Sequence, residues 1–399
     1  MTGPHIGARI SAERKLRGFS QQQLAARAHV SHSLLTKVEQ GRRPASPALV
    51  TAVARALDVD RGQLTGQPFR APRDRDHAVH DMVPRLRQEI LATALTPSED
   101  RPTPSLPALS AAVTAITHAA ERADLALIGE RLPTLLADLR LAAHTTSGQD
   151  REQVMRQWAQ AFGAARGFTQ NLGYFDLSTV IANHYDTIAA ASGDPLCMTL
   201  GITKHAQDLV AVGRHDQAQQ LLQQARDQLE PLLASNAPEV LSVFGYLHLR
   251  SALATARAAD PVRTDEHWRE AAAYAARLDG EPNHYGLWFG PSNIGIWGVG
   301  LAVELVDGPL AIRRGKQLTI SPALPPARLG HHYIDLARAQ LLTGHRQASL
   351  VSLQSARRIS PQQTRYHPMV RETIAGIAHA ERRSTESLRN IAAWVGIEP

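Results

Sequence analysis

From about residue 108 to residue 392 the chain carries one hydrophobic period, that of the α-helix. Apolar residues recur every three or four positions over stretches of 12–20 residues, and Gly, Asp, Asn or Pro separates one stretch from the next. Each such helix has an apolar stripe that another helix must cover, so the pattern predicts an all-α fold. With 399 residues, two or three structural units are expected.

Two of the helical stretches repeat one another. "HAQDLVAVGRHDQAQQLLQQARDQLEP" places Ala206, Gly213, Ala218, Leu222, Ala225 and Pro231 in order, and "LARAQLLTGHRQASLVSLQSARRISP" places Ala337, Gly344, Ser349, Leu353, Ala356 and Pro361. Small residues stand 12 apart in both, with the glycine seven after the first. A small residue, a glycine turn, a second small residue, an aliphatic and a third small residue describe two antiparallel helices in close contact. The pattern resembles the tetratricopeptide repeat, although both copies lack its usual aromatics. Segments 158–190, 241–278 and 301–325 read as looser copies. The resemblance implies a tetratricopeptide-like array over 108–399 whose concave face serves dimerisation and binding of an effector or partner.

The N-terminus is organised differently. In "SQQQLAARAHVSHSLLTKVEQGRRP" a first short pattern puts Leu24, Ala25 and Ala28 on one face. A second puts Val30, Leu34, Leu35 and Val38 inward and leaves His32, Ser33, Thr36 and Lys37 outside. Ser20 with Gln23 has the form of a capping box, Ser31 suits the start of the second helix, and Ser46-Pro47 begins another. Charge is concentrated in the same region. Residues 1–70 hold eleven Lys and Arg against four acidic residues, while the remainder holds thirty-two against thirty-three. The chain's net charge of +6 therefore comes from its first sixth, the electrostatic footprint of a nucleic-acid-binding module on a neutral body.

From Ile6 to Leu64 the segments "LRGFSQQQLA", "VSHSLLTKVEQGRRP" and "LVTAVARALDV" resemble the XRE (Cro/C1-type) helix-turn-helix family. The resemblance implies a domain at 1–66 of five helices, roughly 4–17, 21–28, 32–40, 47–57 and 61–64. It also implies that the third helix enters the major groove of a DNA operator, with His32, Ser33, Thr36 and Lys37 reaching base edges. Gln21, Ser31, Arg42 and Arg43 would hold phosphates, and Arg14 and Glu39 would form an ion pair between the first and third helices. One position departs from the family. His29 stands in the turn where glycine is usual, and histidine is among the residues that tolerate positive φ there.

Residues 67–107 read as a linker with one helix, "HAVHDMVPRLRQEILATAL", between the joint "GQPFRAPRDRD" and the proline-rich "TPSEDRPTPSLP". Enzyme motifs are missing. "GPLAIRRGK" has too long a glycine gap for a phosphate loop, there is no G-x-S-x-G, H-E-x-x-H or C-x-x-C, and the histidines are scattered. The expectation is a protein that is not an enzyme and uses no cofactor and no metal. One cysteine, Cys197, excludes an internal disulfide, no apolar run reaches the ~20 residues of a membrane span, and no signal-peptide core opens the chain. Those features lead to the expectation of a cytoplasmic protein.

The whole layout resembles actinobacterial XRE regulators with a helical-repeat domain, including the segments "FGPSNIGIWGVGLAVEL" and "RYHPMVRETI". That resemblance implies a homodimeric, sequence-specific transcription regulator on a pseudo-palindromic operator, with an array that senses a small molecule or peptide. The alternative is a regulator whose array is a protein-interaction scaffold without small-ligand sensing. If there is an effector, the segment "HYGLWFGPSNIGIWGVG" is the candidate pocket, because it concentrates Tyr285, Trp288, Phe289 and Trp297 beside Asn293 in an aromatic-poor chain. Its five glycines and proline argue against a stable helix there.

Overall fold

The computed structural model describes residues 5–69, 78–98, 102–380 and 385–397, and among them there is no strand. Most of the joint at 66–76, and residues 99–101 of the proline-rich stretch, lie outside the described residues. The N-terminal unit comprises α1 (Ile6–Leu16), α2 (Gln21–Arg27), α3 (His32–Glu39), α4 (Pro47–Leu57) and α5 (Arg61–Thr65). Three serines start three of these helices, because each hydroxyl accepts an otherwise unpaired backbone N–H. Ser20 takes that of Gln23 at 3.1 Å, Ser31 that of Leu34 at 3.2 Å and Ser46 that of Leu49 at 3.2 Å. Gln23 returns the bond to the Ser20 N–H at 2.8 Å, closing the capping box. The helices enclose a core of Ile10, Leu24, Leu35, Val38, Val53 and Leu57, all buried.

Both ends of the α2–α3 pair are left-handed stops. At the end of α2 the His29 N–H bonds Ala26 O and the Val30 N–H bonds Ala25 O, with His29 at φ 53°. At the end of α3 the Gly41 N–H bonds Val38 O and the Arg42 N–H bonds Lys37 O, with Gly41 at φ 71°. Each is the double carbonyl cap that terminates a helix abruptly.

The rest of the chain is a stack of helices. It begins with α6 (Ala78–Asp81) and α7 (Val83–Leu91), inside the stretch expected to be a linker. They are part of the array: Val83, Leu86 and Ile90 are buried, and α7 packs on α9. Neighbouring helices then pair as hairpins: α8 (Leu106–Glu121) with α9 (Leu125–Thr145), α10 (Gly148–Leu172) with α11 (Phe175–Ala191), and α12 (Pro195–Ala211) with α13 (His215–Leu229). The next are α14 (Pro238–Arg257) with α15 (Pro261–Ala275), α16 (Pro291–Glu304) with α17 (Gly308–Gln317), and α18 (Pro326–Leu342) with α19 (Arg346–Ile359). Short α20 (Pro361–Tyr366), α21 (Pro368–Ala380) and α22 (Glu386–Trp394) close the stack. The small residues of the two repeats, Ala206, Ala218, Ala225, Ala337, Ser349 and Ala356, are all buried at helix contacts, where a larger side chain would force the axes apart.

One turn is reused between hairpin arms: a left-handed residue, then a backbone N–H reaching a carbonyl five residues back. Arg214 bonds Leu209 O across Gly213, Asp260 bonds Thr255 O across Ala259, and Asp307 bonds Ala302 O across Val306. Where the following residue is aspartate it also caps the next helix, as Asp260 does on the Arg263 N–H and Asp307 on the Leu310 N–H. "GPLAIRRGK" therefore forms all of α17 but its last residue, is capped by Asp307, and is not a phosphate loop.

The glycine-rich segment departs from expectation, since α16 is a regular helix of 14 residues. Packing overrides propensity there. A Cβ on Gly298 would stand 3.0 Å from the Trp268 ring, so the glycine lets α15 lie directly on α16.

The N-terminal unit is held by two distant parts of the array. On α4, Thr51 Oγ1 donates to Ala211 O at 3.3 Å and Arg55 Nη1 to Gly213 O at 3.4 Å. From the other end of the stack, α21 inserts Met369 into the N-terminal core, and Glu372 Oε1 accepts the Ala45 N–H at 3.3 Å.

Candidate nucleic-acid interface

The third helix presents one open face. His32, Ser33 and Lys37 are exposed, while Leu35 and Val38 are buried beneath them. Thr36 is half-buried, and its hydroxyl lies 3.3 Å from Gln21 Oε1 and 3.4 Å from His32 Nε2. The double cap at Gly41 folds the chain back over the end of α3. It leaves Arg42 and Arg43 exposed just beyond it, in no ion pair among the described residues. Lys37 is likewise exposed without an ion-pair partner among the described residues.

Beneath the face lies a polar strut. Arg14 Nε and Nη2 donate to Glu39 Oε1 and Oε2 at 2.7 and 2.9 Å, a two-pronged pair, and Arg14 Nη1 donates to Phe19 O at 2.8 Å. Gln21 Nε2 donates to Glu39 Oε2 at 2.8 Å. The chain Arg14–Glu39–Gln21–Thr36–His32 thus links α1, α2 and the reading face. Burial alone would raise the Glu39 carboxyl, but the bonds from Arg14 and Gln21 outweigh it and hold its pKa below the ordinary value. Expected as phosphate anchors, Gln21 and Ser31 are both engaged internally: Gln21 with Glu39 and Thr36, Ser31 as the cap of α3.

Of the residues expected to line an effector pocket, four build a structural turn instead. Tyr285 donates its hydroxyl to Asp194 Oδ2 at 2.8 Å, and Trp288 donates its indole N–H to Glu121 Oε1 at 3.2 Å. Phe289 is fully buried, with its ring end-on to Gly245, whose missing side chain leaves the space. Asn293 Nδ2 donates to the carbonyls of Leu287 and Trp288, while its Oδ1 accepts from Arg328 Nε at 2.9 Å. The aromatics clustered in sequence because this turn bridges α8, α12, α14 and α16, which needs bulky side chains and fixed hydrogen bonds.

Trp297 is the one of the five that faces the space between the N-terminal unit and the array. It lines a cavity of about 1320 Å³ between the N-terminal unit and the array. One wall is α4 and α5, and the other is drawn from α11, α12, α14, α16, α18 and the α20–α21 corner. His331 and Asp335 of α18 also face it, as do Tyr246, Arg250 and Arg328. Sequence reading missed Arg250, although a signal was present: it is the one charged position within "VFGYLHLRSALA", an otherwise apolar stretch. His332 is buried, and among the described residues no cluster of three or more His, Cys, Asp or Glu could hold a metal ion. Cys197 is buried with Sγ 3.3 Å from the Tyr185 hydroxyl, and burial pushes its thiol up.

Fold and face together define a helix-turn-helix domain mounted on a helical array. The comparison with known families agrees: residues 5–65 match the family described as "Helix-turn-helix domain". No curated protein matches the chain. A solved structure titled "Crystal structure of BtubC (BKLC) from P. vanneervenii" is similar at 17% identity over 63% of this chain and 91% of that one, with a TM-score of 0.34. Among the described residues no helix is long and apolar enough to cross a membrane.

Proposed function

We propose that this protein is a cytoplasmic, sequence-specific transcription regulator that binds a pseudo-palindromic operator as a homodimer, through a tetratricopeptide-like array that responds to a small molecule or peptide. The observation that carries the reading is the α3 face, a buried strut below and His32, Ser33 and Lys37 exposed above, with Arg42 and Arg43 at its end. Lys37 suits guanine O6 and N7, His32 and Ser33 suit several base edges, and the two arginines suit the backbone. The cavity between domain and array favours a sensing array over a bare protein scaffold. The reading assigns no enzymatic step.

Selection of bound duplexes from a random pool tests the proposal. The expected result is a two-fold-related motif with half-site centres about 10 bp apart or a multiple of that. On the selected site Lys37→Ala is expected to cost about 1–3 kcal/mol and to relax choice at one base pair. Arg43→Ala should weaken all sequences alike and flatten the salt dependence by about one unit. Recovery of no motif, or unchanged binding by the Lys37 variant, overturns the reading.

A further inference from the structure

The cavity walled by the N-terminal unit and the array holds six arginines, and four of them are in no ion pair among the described residues. Arg257 pairs with Glu304 at 3.0 Å, and Arg338 pairs with Asp335 at 2.8 Å and with Glu304 at 3.4 Å. Arg55 is exposed to solvent and donates to the neutral carbonyl of Gly213. Of the other acids on the same walls, Asp208 and Asp176 are paired with Arg166 and Arg87, while Asp58 and Asp60 stand on the α4–α5 side, where Asp60 attracts Arg61. That leaves Arg61, Arg250 and Arg328, none in an ion pair among the described residues. Arg250 is 8% exposed, so its charge sits out of water with no carboxylate beside it. A buried, uncompensated guanidinium costs several kcal/mol in general, and a fold retains one most readily where something else supplies the counter-charge.

Each of the three also lies against an aromatic ring. Arg61 is 4.7 Å from the Phe175 centroid, Arg250 is 5.8 Å from Tyr246, and Arg328 is 5.7 Å from Trp297. Tyr246 and Trp297 meet edge to face at 6.4 Å, so Arg250 and Arg328 flank one aromatic corner. Burial lowers the pKa of all three, Arg61 to about 10.

We propose that this cavity is the binding site for a small organic anion, a carboxylate or phosphate on a flat aromatic body, seated between Arg250 and Arg328 with its ring on the Tyr246–Trp297 corner. The inference deepens the sensing part of the function proposed above. It also gives that sensing a route, because the site's other wall is α4 and α5 of the DNA-binding unit. A ligand there touches both bodies at once and biases how they are held together.

The test uses the full chain without DNA, so its failure leaves the DNA-binding reading standing. The probe is 8-anilinonaphthalene-1-sulfonate, an aromatic anion, with uncharged N-phenyl-1-naphthylamine as its partner arm. Saturable one-to-one binding of the anion is expected, at least tenfold tighter than that of the neutral probe. Arg328→Gln and Arg250→Gln should each weaken the anion at least tenfold and leave the neutral probe within twofold. Arg328→Gln keeps the test decisive if the more buried Arg250 variant does not fold. Lys37→Ala, on the DNA face, should bind the anion as wild type does. Displacement by 1-naphthoate or by 1-naphthyl phosphate then identifies the preferred head group. Equal binding of the two probes, wild-type anion affinity in Arg328→Gln, or displacement by neither competitor overturns the proposal.

Discussion

At Glu39 two effects compete. Burial favours the neutral acid, whereas the Arg14 and Gln21 hydrogen bonds favour the carboxylate, and the second prevails. The folded pKa therefore lies below the ordinary 4.5, so the folded state binds fewer protons than the unfolded chain near that pH. Stability from this group is fully present above pH 4.5 and is lost as pH falls through the lower folded value. Glu39→Gln, which leaves Arg14 buried beside a neutral partner, should cost about 3 kcal/mol at pH 7 by urea denaturation. The gap to wild type should close as pH drops below 4.5, and an equal gap at pH 3.5 and pH 7 would contradict the account. The pair was legible because the two residues belong to a recognised motif. The engagement of Gln21 with the same carboxylate, and of Thr36 with Gln21, was not, since spacing gives a helix face but not which of two neighbours a side chain reaches.

Among the secondary elements, the hairpin turns carry an avoidable cost. Gly213 and Gly344 mark two of them in sequence, but the equivalent positions Ala259 and Val306 hold φ of 59° and 61° with a Cβ in place. Their turns were invisible to a search for glycine, because the hydrogen bonds of the cap and the packing of both arms impose the left-handed residue regardless of its identity. Ala259 is exposed, so Ala259→Gly changes little else. Relief of roughly 1–2 kcal/mol of left-handed strain outweighs the added backbone entropy of glycine, and a net gain of about 0.5–1 kcal/mol is expected in chemical denaturation. A loss of stability would show that the turn is not strained. α16 carries the opposite lesson, since its glycines argued against a helix, yet close approach of Trp268 to Gly298 makes that helix possible.

On the scale of the whole molecule, the DNA-binding unit is not a bead on a linker. Met369 of α21 completes its core and Glu372 accepts the Ala45 N–H, while Thr51 and Arg55 bond the turn after α12. Residues more than 150 positions away on one side and more than 300 on the other thus stabilise one small domain. Met369→Ala should destabilise that domain by about 2–5 kcal/mol. Hydrogen exchange should show faster opening of α4 and of the Ala45 amide, with the α10–α15 helices unchanged. Unaltered exchange at Ala45 would mean that the docking contributes nothing.

What the sequence determined by itself is the part governed by local physics. Serine caps at 20, 31 and 46, apolar periods of 3.6, buried small residues at 206, 218, 337 and 349 and the cluster of positive charge depend on near neighbours, and they led to an all-α chain with a helix-turn-helix start. Tertiary structure alone decided which aromatics fill a turn and which face a cavity, and which arginines find a carboxylate. Phe289 and Trp297 belong to one sequence cluster, yet one is sealed against Gly245 and the other opens on about 1320 Å³. The difference arises because burial and charge pairing depend on partners hundreds of residues distant, and no local pattern records where the stack of helices brings them.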